Sequence, residues 1–167
     1  QNELNNSIIE KIYLDEKEVS FSYFNDQEVN LKNYDKIEFK SKKIDQLIDD
    51  TLYEARDYLP ELKKEVKEIS KLIKEGKQML AGNKLLIALE GFDWYTGVLD
   101  NVKSVLDDEE LKNEIQNKIE DISSLISEAL KLQKKSEKED LAEILSGEIA
   151  EMVEEFISIN EELINKE

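Results

Sequence analysis

The least generic stretch of the chain is Glu90-Gly91-Phe92-Asp93-Trp94-Tyr95, which holds the only tryptophan, two more aromatics and two carboxylates three positions apart. Positions i and i+3 share a helix face, so Glu90 and Asp93 could form a carboxylate pair of the glycosidase kind. Gly91, Phe92, Trp94 and Tyr95 are the candidate partner-binding residues, because aromatic side chains anchor protein interfaces. The competing reading is structural: Gly91 admits a close neighbour while Phe92 and Trp94 fill two faces of a core. A shift of tryptophan fluorescence on partner binding separates the two.

Composition removes most other chemistry. The 167 residues include no histidine and no cysteine, which excludes Ser-His-Asp and Cys-His nucleophiles, imidazole or thiolate zinc sites, and disulfides. A di-metal helical bundle needs Glu-x-x-His repeats, and neither Asp49-Asp50 nor Asp107-Asp108 has the spacing of a calcium-binding loop. There is no glycine-rich phosphate loop, so no catalytic, cofactor or metal residue is expected. Lys131, Lys134, Lys135 and Lys138 form a local positive patch that suits a helix C-terminus. A net charge of −17 argues against nucleic-acid and anionic-membrane partners. Leu85–Leu89 is the longest apolar run, far short of the roughly 20 residues that span a bilayer. A cytoplasmic location is expected, although a chain starting at Gln1 leaves open a removed leader. One arginine among 23 basic residues, with abundant Lys, Glu, Ile and Asn, suggests an A/T-rich bacterial genome.

The elements that would position these residues change character near position 42. Before it, Val19, Phe21 and Tyr23 alternate with Ser20 and Ser22, the period of a strand. Residues 8–24 read as a hairpin turning at Asp15-Glu16-Lys17, and 36–41 as a third strand, with 28–34 a strand or a helical turn. From 43 the period becomes 3.5. Ile48, Leu52, Ala55, Leu59, Leu62, Val66, Ile69 and Ile73 alternate in steps of four and three, and the phase survives Pro60, which predicts one long helix kinked near Leu59. Gly76 is its expected stop, with Gly82-Asn83 a competitor.

A second helix follows with two apolar stripes: Leu85, Leu89, Phe92, Thr96, Leu99, Val102 and Leu106 on one side, and Ile87, Gly91, Trp94, Val98 and Val105 on the other. Two stripes imply a helix covered from two sides. Asp107 with Glu110, and Ser136 with Glu139, have capping-box spacing and start the third and fourth helices. The fourth carries Leu141, Leu145, Ile149, Met152, Phe156, Ile159 and Leu163.

Short turns between long helices predict an antiparallel up-down four-helix bundle with a small N-terminal β-hairpin or three-stranded antiparallel sheet, an α+β protein that is predominantly α. The expected division is a β segment at 1–42 packed on a helical bundle at 43–167, with helices at about 43–75, 77–106, 108–134 and 137–165. Tyr58-Leu59-Pro60, Lys74-Glu75-Gly76-Lys77 and Glu90-Gly91-Phe92-Asp93-Trp94 together resemble a family of small acidic helical proteins of Firmicutes, a resemblance that implies this fold and no activity. In shape and charge the helical part is also similar to flagellar and secretion export chaperones. The leading functional expectation is a non-enzymatic protein–protein interaction or scaffold module, its partner another protein or a second copy in a homodimer. An export-chaperone-like role is the alternative, and an enzyme built on carboxylates and lysine the third reading.

Overall fold

The computed structural model of the chain describes residues 7–26 and 33–166. The protein is mostly helical with a small three-stranded antiparallel sheet. It divides into two compact units that meet in sequence at Asp49 and Asp50.

The first unit contains β1 (Ser7–Leu14), β2 (Lys17–Val19), the short helix α1 (Phe21–Asp26) and β3 (Ile37–Lys43). β1 is central, paired with β2 and β3 on its two edges, so Ile12 faces Val19 on one side and Phe39 on the other. Asp15 and Glu16 both take positive φ, the geometry of a two-residue hairpin turn. The Asp15 carboxylate fixes that turn by accepting the N–H groups of Asp35 and Lys36, each at 2.9 Å.

The second half of the expected hairpin strand is corrected. β2 stops at Val19, and Phe21 and Tyr23 lie in α1. Ser20 occupies the position before the helix, where serine is favoured, and its carbonyl accepts the Tyr23 N–H at 3.1 Å. Three alternating apolar residues are too short a period to outweigh that start signal. The expectation for 28–34 lies outside the described residues as far as position 32.

Four long helical runs follow: α2 (Ile44–Lys74), α3 (Gln78–Val105), α4 (Glu109–Lys135), and a last run made of α5 (Lys138–Ile144), a π-helical turn (Leu145–Ile149) and α6 (Ala150–Asn165). α2 passes unbroken through Pro60. Pro60 and Arg56, whose carbonyl loses its helical donor there, are both exposed, so solvent can satisfy that group. Its stripe from Leu52 to Ile73 is buried as the spacing predicts. Gly76 ends it at φ 76°, with the Lys77 N–H bonded to the Leu72 carbonyl at 2.9 Å and the Gly76 N–H to that of Ile73 at 3.0 Å.

Two capping expectations change. Asp108, not Asp107, caps α4, its carboxylate accepting the N–H groups of Glu110 and Leu111, each at 3.1 Å. Ser136 starts nothing; it closes α4 in the left-handed conformation at φ 61°, and Glu137 precedes α5 without a side-chain cap. A residue committed to the preceding helix's end cannot also supply the extended backbone of an N-cap.

The last helix is interrupted rather than uniform. Its stripe advances 141, 145, 149 before returning to alternating steps, and two successive steps of four drift around an α-helix unless a wider turn absorbs them. The π-helical turn at Leu145–Ile149 does so. Beside it the Ala142 carbonyl accepts Ser146 Oγ at 2.9 Å and, from α2, the buried Ser70 Oγ at 2.6 Å.

Polar contacts fix the order of the helices. Lys84 of α3 pairs with Glu65 of α2, Lys103 of α3 bonds Gln116 of α4, and Lys118 of α4 pairs with Glu155 of α6. Asn160 of α6 donates to the Leu52 carbonyl of α2, and Lys63 pairs with Glu154. The bonds Ser70 to Ala142 and Asn160 to Leu52 set late α2 against the start of the last run and early α2 against its end.

Candidate interaction surface

Helix α3 buries Ala81, Leu85, Ala88, Phe92, Tyr95, Leu99 and Val102, steps of four and three that make an a/d stripe. The expected stripe names Leu89 and Thr96 where the buried positions are Ala88 and Tyr95. Both chosen residues are half-buried.

This stripe decides where the four candidate binding residues lie. Tyr95 is fully buried against Phe156, ring centroids 5.1 Å apart, and its hydroxyl donates to the Phe156 carbonyl at 3.1 Å. The Asn160 Oδ1 sits 3.4 Å away, and burial pushes the phenol well above its ordinary pKa. Phe92 is also core. Gly91 seats Tyr58: a Cβ there would overlap the phenol oxygen and approach Cζ at 2.9 Å. Trp94 stacks edge-on against Tyr58, centroids 5.4 Å apart at 86°, and is half-buried. Burial raises the Tyr58 phenol, and the nearby Glu65 charge adds to that. Among the four, Trp94 keeps accessible surface. Glu90 and Asp93 both stand exposed, whereas a general acid of the proposed pair needs a desolvated carboxyl.

The opposite side of α3 is the unexpected part. Met79 is 86% exposed, Leu86 63%, Ile87 61% and Leu80 48%. At 3.6 residues per turn these four fall on one side with Asn83, Glu90, Trp94 and Gly97. The second stripe was expected to be covered along its length; Gly91 and Val98 are covered, but Ile87 and Val105 are not. Charge is scarce there. Between Lys77 and Glu90 only Lys84 is charged, and Glu65 and Glu68 hold it to the α2 side. That scarcity, in a chain 38% charged, was the available sequence signal.

A cavity of about 200 Å³ borders this face, floored by Ile73, Leu85, Leu132 and Leu141 and rimmed by Gln78 and Gln133. Gly82, which also lines it, is adjacent on the helix surface to Met79 and Leu86.

The chain belongs to the family described as Domain of unknown function (DUF8042), which it matches over residues 50–159. The matched DUF8042 region begins where the second compact unit begins and carries all of α3 and α4, so the exposed face lies inside it. No curated protein and no solved structure matches the chain.

Among the described residues, no group of three or more His, Cys, Asp or Glu is placed to hold a metal ion. No helix among them is long and apolar enough to cross a membrane.

Proposed function

We propose that this DUF8042 chain is a non-enzymatic interaction module, an antiparallel up-down four-helix bundle that engages another polypeptide through the outer face of α3. One observation carries the reading: Met79, Leu80, Leu86 and Ile87 form a contiguous, nearly uncharged apolar surface on a helix already buried along its opposite side. Scattered exposed apolar residues are ordinary, but a cluster on the order of several hundred Å² marks a contact surface. Phe92 and Tyr95 anchor the opposite side of α3 in the core.

The test places a photo-crosslinking amino acid at Leu86 or Ile87 in the full chain, expressed in its own host, with Glu114 on α4 as the control position. Covalent protein adducts formed from the α3 positions and absent from Glu114 are expected. Irradiation that yields no protein adduct from either α3 position overturns the reading.

A further inference from the structure

The outer face of α3 has a pattern that suits one occupant above others. Asn83 sits at its centre, with Met79 and Leu80 on one side and Leu86 and Ile87 on the other. An antiparallel copy of the helix placed with Asn83 opposite Asn83 sets Leu80 against Leu86 and Met79 against Ile87. The face is therefore self-complementary in shape class, as a two-fold interface requires. A single polar residue amid apolar ones is also the device that fixes register between paired helices.

Charge across the bundle points the same way. The cavity between the two turns and the Ser70–Ala142 bond place residues 70–87 and 131–142 at one end. That end carries eight lysines and four acids, while 50–69, 88–130 and 143–166 carry eight bases and twenty-four acids. The apolar face thus sits where self-repulsion is weakest. Antiparallel overlap limited to about residues 78–88 directs the two acidic ends away from each other. Two such faces remove on the order of 1,000 Å² from water, the lower edge of specific interfaces.

We propose that the outer face of α3 binds the same face of a second copy, in an antiparallel two-fold pair centred on Asn83. This rests on the interaction reading above and names its partner. The purified full chain is expected to sediment at twice its 19.4 kDa mass at tens of micromolar and to dissociate on dilution. Leu86→Lys, at an exposed position, lowers the association constant by roughly a hundredfold or more because it buries a like charge twice, while its circular dichroism and melting as a monomer stay unchanged. The chain has no cysteine, so Asn83→Cys alone should form a disulfide-linked dimer on mild oxidation, and Asn101→Cys, on the same side but outside the overlap, should not.

A chain that stays monomeric at 100 µM overturns the proposal. So does a dimer that survives Leu86→Lys, one that cross-links equally through Asn101→Cys, or a monomer that binds phosphatidylserine vesicles through this face. If the chain is monomeric yet Leu86 cross-links to a different protein in the host, the self-pairing falls and the interaction reading stands; no adduct of either kind removes both.

Discussion

Helices α3 and α4 are nearly equal in length and differ in almost everything that makes a helix. α4 opens on a capping carboxylate, Asp108, has Glu109 and Glu110 in its first turn and Lys134 and Lys135 in its last, and closes on a left-handed Ser136. It buries Leu111, Ile115, Ile122 and Ala129, and Leu130 is its one large apolar side chain among the exposed ones. Each device favours the helix before any packing occurs. α3 has no side-chain cap at Lys77, no acid in its first turn and three interior glycines, each about 1 kcal/mol less favourable than alanine in a helix. Tertiary burial on one side sustains it, and its other side carries apolar residues that do nothing for the folded monomer. A helix poor in local support and rich in apolar surface is shaped by its neighbours on both sides.

The sharpest break of this comparison lies within α3 itself. Leu99→Ala, fully buried, should cost about 2–5 kcal/mol, and Ile87→Ala should stay within about 0.5 kcal/mol when both are read by urea unfolding at submicromolar concentration. Equal losses would make the outer stripe part of the core. At high concentration, Ile87→Ala should also lower the apparent stability of a paired chain, so the gap between the two variants narrows as concentration rises.

The inward stripe of α2 was legible because spacing, apolarity and size agree from Leu52 to Ile73. The four long runs and the turn at Gly76 were legible for the same reason: periodicity and left-handed backbone are local signals. The inward stripe of α3 was blurred, since Leu85, Leu89, Phe92, Thr96 and Leu99 and the buried Leu85, Ala88, Phe92, Tyr95 and Leu99 both alternate in steps of four and three. Whether Ile87 would be covered was not legible at all. Periodicity reports which residues share a face, and coverage depends on what stands opposite. The candidate site was therefore read one face away: the aromatics that stood out at 92 and 95 fill the core, and the plainer Met79, Leu80, Leu86 and Ile87 face solvent. Asp107 and Ser136 misled because capping-box spacing recurs easily where acids are dense.

Tyr95→Phe tests the inner side of α3 more gently. It removes the bond to the Phe156 carbonyl and the contact with Asn160, for an expected loss of about 1–2 kcal/mol. It also carries a pH signature. The folded phenol lies above its unfolded value, so its contribution is complete below about pH 10 and is lost as pH rises above that toward the folded value. Wild type should therefore lose stability at alkaline pH more steeply than Tyr95→Phe; identical slopes would mean the hydroxyl is not buried.

The glycines give a smaller and oppositely signed comparison. A Cβ at Gly97 meets nothing within 4 Å, so Gly97→Ala should stabilise by about 0.5–1 kcal/mol through helix propensity. Gly91→Ala must displace the Tyr58 phenol and disturb its edge contact with Trp94, which offsets that gain. In a Tyr58→Ala background the obstruction is gone, and Gly91→Ala should then gain as Gly97→Ala does. Thermal melts of the double-mutant cycle measure the difference. If Gly91→Ala stabilises equally in both backgrounds, the Tyr58 seat on α3 is not a constraint.

The smallest effect separates the two helix starts by charge alone. Backbone N–H bonds, first from Leu111, together with Lys166 hold the Asp108 carboxyl below its ordinary pKa. A group depressed in the folded state contributes above its unfolded value, about 4, and the contribution disappears as pH falls through the folded value. Asp108→Asn keeps an equally good cap but not the charge, so it should trail wild type slightly at neutral pH and match it under strong acid. Amide exchange locates the effect: protection at Glu110 and Leu111 should fall on acidification in wild type and stay level in Asp108→Asn. The first turn of α3, with no acid to titrate, should respond the same way in both. An acid-dependent opening of α3 that tracks Asp108 would show the two helix starts to be coupled, and the contrast between a locally supported α4 and a packing-dependent α3 would no longer hold.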